Sequence, residues 1–178
     1  MQGTIIVGAG RGLAFARWIT ERDDFDVDVK ALVDNNPATH PRIRTVLDRY
    51  GWKNTKIFPS LAEALAAFGP GEAPSVMIVA SNRAHASLTR EALAAGRQVF
   101  LEKPIAASLD DALDIQKAAN ESDHFVALGF VLRHSKYFQK MREVAASGRL
   151  GRLVMIQANE RLDHDHSSAY RRGWRRHA

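Results

Sequence analysis

The sequence predicts an α/β protein built on a doubly wound parallel sheet, and three observations point there. Short β-rich runs alternate with helical stretches along the chain, the order that βαβ units impose. The run Ser-Val-Met-Ile-Val-Ala at 75–80 is apolar almost throughout, as a strand covered on both faces should be. A glycine cluster, Gly8-Ala9-Gly10-Arg11-Gly12, sits between the first apolar run and the first helical stretch.

Taken in order, a first strand over 4–7 ends at Gly8, and a first helix covers 13–20. A second strand over 27–33 leads to a helix from about 38 to 50, and 56–58 is a short third strand. Ser60 and Glu63 have capping-box spacing and open a helix that Gly69-Pro70-Gly71 stops. The strand at 75–80 is followed by a helix over 84–95, closed by Gly96, and a fifth strand at 99–101. Ser108 with Asp111 caps the next helix, whose apolar face reads as Leu109, Ala112, Leu113, Gln116 and Ala119. A sixth strand at 125–128 and a helix over 136–146, closed by Gly148, come next. A last strand is expected at 153–158. It lies beyond the set of six and has no later strand to pair with, and an unpaired edge is a liability. That predicts the truncated start of a second, α+β domain.

Composition narrows the classes. A chain of 178 residues that is 46% hydrophobic can bury one ordinary core but not two. No apolar run approaches the roughly 20 residues of a membrane span, and the N-terminus has no basic leader before an apolar segment. With no cysteine there are no disulfides or thiolate metal sites, which fits a reducing, cytoplasmic setting. The net charge of +5 gathers toward the end, where Arg161, Arg171, Arg172, Arg175 and Arg176 outnumber Asp163 and Asp165. That end lacks the interleaved aromatics and the motif spacings of nucleic-acid binders, so a solvated or ligand-facing segment is favoured over a nucleic-acid surface.

The glycine cluster carries the first chemistry. A pyrophosphate is held by backbone N–H groups at a helix N-terminus, and glycines let the backbone come close to it. Gly8 and Gly10 fit that fingerprint. Its third small residue would fall on Leu13, so the match is imperfect there, with Gly12 and Ala14 on either side able to supply the close helix–strand approach. Asp34 ends the second strand 24 positions after Gly10 (34 − 10), where the fingerprint expects, about 20 residues on, an acid that accepts hydrogen bonds from the adenosine ribose. A carboxylate there repels a 2′-phosphate, and Asn35 and Asn36 bring no positive charge to offset it. NAD is therefore favoured over NADP. The competing role for this stretch is an N-cap or Asx turn before Pro37.

Ligands of open α/β sheets sit beyond the carboxyl ends of the strands, and two further clusters fall there. Ser81-Asn82-Arg83-Ala84-His85 follows the fourth strand, and its polar groups either line the cofactor cleft or cap the next helix with His85 in solvent. Glu102-Lys103-Pro104 follows the fifth. Lys103 offers a cationic donor to a substrate hydroxyl, and Pro104 restricts it to extended backbone.

In series these motifs resemble the Gfo/Idh/MocA family of sugar and cyclitol oxidoreductases. The resemblance runs through Gly8 to Gly12, Val33-Asp34, Val79-Ala80-Ser81-Asn82 with His85, and above all Leu101-Glu102-Lys103-Pro104. It continues in Gly129-Phe130-Val131-Leu132-Arg133-His134 and Ser147-Gly148-Arg149-Leu150-Gly151, covering nearly the whole chain. The resemblance implies a Rossmann cofactor domain and NAD(P)-dependent oxidation of a secondary alcohol on a sugar or polyol. Lys103 would lie beside nicotinamide and substrate as the catalytic residue, after a peptide that is often cis in the family. Gly8, Gly10, Arg11, Gly12, Asp34, Asn35, Ser81, Asn82, His85, Glu102 and Lys103 would surround the cofactor. Residues 1–128 would be the dinucleotide-binding domain. Residues 129–178 would form a connecting helix and the incomplete start of a substrate and oligomerisation domain, a homo-oligomer being implied for the complete enzyme. The downstream acid and histidine of the family have no counterpart here. The alternating Asp163-His164-Asp165-His166, with Tyr170 beyond, reads as loop rather than as a metal site. The alternative function is a non-catalytic dinucleotide-binding module, acting as a sensor or subunit.

Overall fold

The computed structural model describes residues 2–22 and 26–161. The chain divides into two units, Met1–Gly129 and Phe130–Ala178.

The first unit is a six-stranded sheet made of β1 (Gln2–Val7), β2 (Val27–Val33), β3 (Lys56–Phe58), β4 (Ser75–Ile78), β5 (Gln98–Leu101) and β6 (Val126–Leu128). Its order is β3-β2-β1-β4-β5-β6, and every neighbouring pair is parallel. The chain winds outward from β1 through β2 to β3, then returns to β4 on β1's other side. The switch point of the winding therefore lies between β1 and β4, where open sheets of this kind bind ligands. Val7 stands level with Val33 and Ile78, and Ile78 with Leu101, so the carboxyl ends of the four central strands open at one edge.

Consecutive strand residues face opposite sides, and β1 shows why both sides are covered. Ile5 and Ile6 are both fully buried, yet they belong to different cores. Ile5 joins residues of α3 (Leu61–Ala67), α4 (His85–Ala94) and α5 (Leu109–Asn120). Ile6 joins residues of α1 (Ala9–Thr20) and α2 (His40–Arg49). The expected serine N-caps form: Ser60 Oγ accepts from Glu63 N at 3.3 Å, and Ser108 Oγ from Asp111 N at 3.1 Å.

Four expectations need correction. The first helix begins at Ala9 rather than at 13, because the glycine cluster is itself the first turn, with Gly8 as N-cap at φ 102°. The helix expected from 38 to 50 is a 3-10 turn, Pro37–Thr39, followed by α2. On α5, Leu109 and Leu113 are 73% and 52% exposed, while Ile115 is buried with Ala118 and Ala119 packed beside it. The inward side of α5, which lies against α4, shares Ala119 with the expected face but centres on Ile115 and Ala118 rather than on the two leucines. Finally, residues 153–158 form no strand and are exposed. A strand exists only as part of a ladder, and among the described residues this segment has no partner.

In the second unit, a 3-10 turn at Val131–His134 precedes α6 (Lys136–Ala146), the helix the sequence predicts. Arg133 lies over the Phe130 ring at 5.0 Å. The segment Asp163-His164-Asp165-His166, Tyr170 and the arginines from Arg171 onward lie outside the described residues. Among the described residues no helix is long and apolar enough to cross a membrane, and no cluster of side chains could hold a metal ion.

Candidate dinucleotide-binding site

The three glycines of the first turn do three different things. Gly8 sits at φ 102°, and a Cβ there would come within 2.8 Å of the Ala80 backbone. Only glycine lets this turn pass against the end of β4. Gly12 sits under the helix, where a Cβ would meet Ile6 Cγ2 at 2.7 Å and Leu32 Cδ2 at 3.2 Å. It is the residue that seats α1 on the sheet, one position before the place where the fingerprint puts its third small residue. A Cβ on Gly10 would meet nothing within 4 Å. Nothing in the fold requires glycine at that position, so the space above it is left for something else.

The helix N-terminus behind this space is available. Gly12 N donates to Gly8 O at 2.9 Å, but the amides of Gly10 and Arg11 have no acceptor among the described residues. Arg11 is exposed beside them. Such amides at a helix start attract anionic oxygen.

Asp34 closes the other side. Its Oδ2 accepts from Ala9 N at 3.2 Å, tying the end of β2 to the glycine turn. Its Oδ1 accepts from Asn36 N and Thr39 Oγ1, both at 3.0 Å. The Asx turn that sequence reasoning weighed against a cofactor role is therefore present on the same residue. An ionised carboxylate offers about four acceptor positions, so three donors leave capacity for a ligand hydroxyl. Asn35 is exposed next to it, and Asn36 takes the capping role, its Oδ1 accepting from Ala38 N at 3.2 Å. Sequence reasoning missed Thr39 and His40; His40 Nε2 lies 2.8 Å from the Asp34 carbonyl. Polar residues five and six positions after the acid were the available signal.

At the ends of β4 and β5 the remaining predicted residues separate into exposed and buried. Ser81 is exposed and Asn82 half-buried, in the turn Asn82–Ala84 that leads to α4. His85 is 1% exposed, so the solvent-facing alternative does not hold. Its Nδ1 lies 2.9 Å from the Pro104 carbonyl and its Nε2 3.3 Å from the Ala80 carbonyl. Glu102 is buried, and its Oε2 accepts from Lys103 N at 2.8 Å. The Lys103–Pro104 peptide is cis, and the Lys103 side chain is exposed. Gly129 passes closely over this segment, since a Cβ there would lie 3.2 Å from Phe100 Cζ and 3.3 Å from Glu102 Cα. The fold thus gathers the glycine turn, Asp34, the Ser81–Asn82 turn and Glu102-Lys103 at one edge of the sheet.

The sequence model of the Gfo/Idh/MocA oxidoreductases, described as an oxidoreductase family with an NAD-binding Rossmann fold, matches residues 3–130. The chain belongs to this family. YteT of Bacillus subtilis (strain 168) is 27% identical over 85% of the chain, which spans 38% of that relative. Inositol 2-dehydrogenase of Salmonella typhimurium is 34% identical over 46% of the chain and 24% of its own length. Among solved structures, GenD2 from gentamicin A biosynthesis, in complex with NAD, has a TM-score of 0.68 at 27% identity. It is matched over 83% of this chain and 39% of its own. Scyllo-inositol dehydrogenase from Lactobacillus casei, with NAD(H) and scyllo-inositol, superposes at TM-score 0.72 and 21% identity, over 85% of this chain and 42% of its own. The chain therefore spans well under half the length of these Gfo/Idh/MocA proteins.

Proposed function

We propose that the chain is the cofactor-binding part of an NAD-dependent oxidoreductase acting on a sugar or polyol. The observation that carries the reading is the pair of open features at the switch point. Gly10 leaves space that the fold does not use, and Asp34 is fastened to the turn beside it through the Ala9 amide. The amides of Gly10 and Arg11 would hold pyrophosphate, and Asp34 would receive the ribose hydroxyls, with Asn35 at its side. Ser81 and Asn82 would border the nicotinamide half. A bound nicotinamide supplies the hydride acceptor. Lys103, exposed on the same edge, would donate a hydrogen bond to the substrate oxygen and handle its proton, with Glu102 holding its backbone amide. Residues 1–128 would form the cofactor domain and 129–178 the entry to the substrate domain.

Asp34 also sets the expected choice of cofactor. Its carboxylate sits where a 2′-phosphate would place two further negative charges, so NAD is preferred to NADP. Calorimetric titration of the 178-residue chain with each cofactor tests this. NAD should bind in the micromolar range, more tightly than NADP, and Asp34→Ala should weaken NAD by roughly tenfold while sparing NADP. Binding of neither cofactor, or tighter binding of NADP, would overturn the reading.

A further inference from the structure

We propose that His85 is a positioning residue that fixes Lys103 by clamping the Pro104 carbonyl to the start of α4. The inference rests on the functional reading above for its purpose, but not for its geometry. His85 is 1% exposed on the first residue of α4. A buried imidazole is retained only where its polar atoms find partners. Two backbone carbonyls lie beside the ring, that of Pro104 2.9 Å from Nδ1 and that of Ala80 3.3 Å from Nε2, and a carbonyl can only accept. These belong to the two segments that follow β4 and β5.

A neutral ring donates from one nitrogen only, and the shorter contact assigns that proton to Nδ1. The Pro104 carbonyl is thus held from below by Nδ1–H, while the Lys103 amide on the preceding residue is held by Glu102 Oε2 at 2.8 Å. Two side chains from different elements, one at the start of α4 and one at the end of β5, fix successive backbone groups around Lys103. Buried, and with its Nδ1–H spent on the Pro104 carbonyl, His85 acts on the site through Lys103 and not by touching a ligand.

The test exploits the shapes of two amide side chains. Asparagine can place its Nδ2–H near the position of imidazole Nδ1, whereas glutamine reaches toward that of Nε2. Amide hydrogen exchange is measured by NMR on the full chain for the parent, His85→Asn, His85→Gln and His85→Leu. The Lys103 amide should exchange about tenfold faster in His85→Gln and His85→Leu than in the parent and His85→Asn. The sheet amides of Ile5 and Leu32 should exchange alike in all four. If His85→Leu does not fold, the asparagine and glutamine variants decide the question alone. Equal Lys103 exchange in those two, or acceleration of the sheet amides by the same factor, would overturn the proposal. NAD titration of the parent is a separate arm: absence of binding with the exchange pattern intact would sink the oxidoreductase reading and leave the clamp standing.

Discussion

Replacing Gly12 by alanine builds a methyl group into the seat of α1. The new Cβ would lie 2.7 Å from Ile6 Cγ2 and 3.2 Å from Leu32 Cδ2, both well inside ordinary carbon–carbon contact. Ile6 and Leu32 are each fully buried, and Ile6, branched at Cβ, has little rotamer freedom with which to withdraw. Relief therefore requires α1 to lift from the sheet, and overpacking of this kind costs about 1–3 kcal/mol. Against it stands the gain from restricting the unfolded chain, about 0.4–1 kcal/mol for glycine to alanine. The cost wins by about 1–2 kcal/mol, a fall in Tm of about 2–8 °C for a chain of this size. Gly10→Ala is the internal control, because its Cβ meets nothing within 4 Å and only the gain remains. Thermal unfolding without ligand should place Gly10→Ala at or above the parent and Gly12→Ala below it. NAD titration should reverse the order of harm, with Gly10→Ala the weaker binder. A Gly12→Ala variant as stable as the parent would refute the assignment of Gly12 to helix seating, and unimpaired NAD binding by Gly10→Ala would refute the use of the open space.

Three further outcomes concern stability. Arg97 is 2% exposed and donates to the Ala73 carbonyl at 2.8 Å and the Phe68 carbonyl at 2.6 Å; Arg97→Met should cost about 2 kcal/mol in denaturant unfolding, with Arg97→Lys intermediate, and an unchanged midpoint would refute the clamp. Burial pushes the Glu91 carboxyl above its ordinary value, so the native state holds more protons than the unfolded chain in that window and stability falls as pH rises through it. Glu91→Gln should therefore melt above the parent at neutral pH, and the gap should close near about pH 3.5; a gap independent of pH would contradict this. Ser108→Ala removes the oxygen that accepts from Asp111 N and should lower Tm by about 2–4 °C, the equivalent of about 1 kcal/mol.

Where the sequence was legible, local chemistry and burial pointed the same way. β2 and β3 have the predicted bounds because β-rich runs there end at turn-forming residues. The glycine turn and Asp34 stood out because few other residue types serve at a strand-to-helix junction. The α5 face was misread because both of its leucines lie outward while Ile115, Ala118 and Ala119 pack inward, and periodicity alone did not rank the two stripes. The strand expected at 153–158 was misread because propensity describes one chain while a strand needs two. Arg97 gave no signal: a lone arginine after Gly96 looks like surface, and its partners are carbonyls 24 and 29 positions away. His85 was noticed as a polar residue near the site, but its role depends on a carbonyl that the chain brings back 19 residues later.

The three donors on Asp34 have a consequence for how a ligand is received. Ala9 N, Asn36 N and Thr39 Oγ1 come from two separate turns and already immobilise the carboxylate in the bare protein. Its rotamer entropy is lost in folding, so little remains to be lost when a ribose arrives. Such a site should approach lock-and-key behaviour: a small heat-capacity change confined to dehydration, an association rate limited by encounter, and discrimination expressed in the dissociation rate.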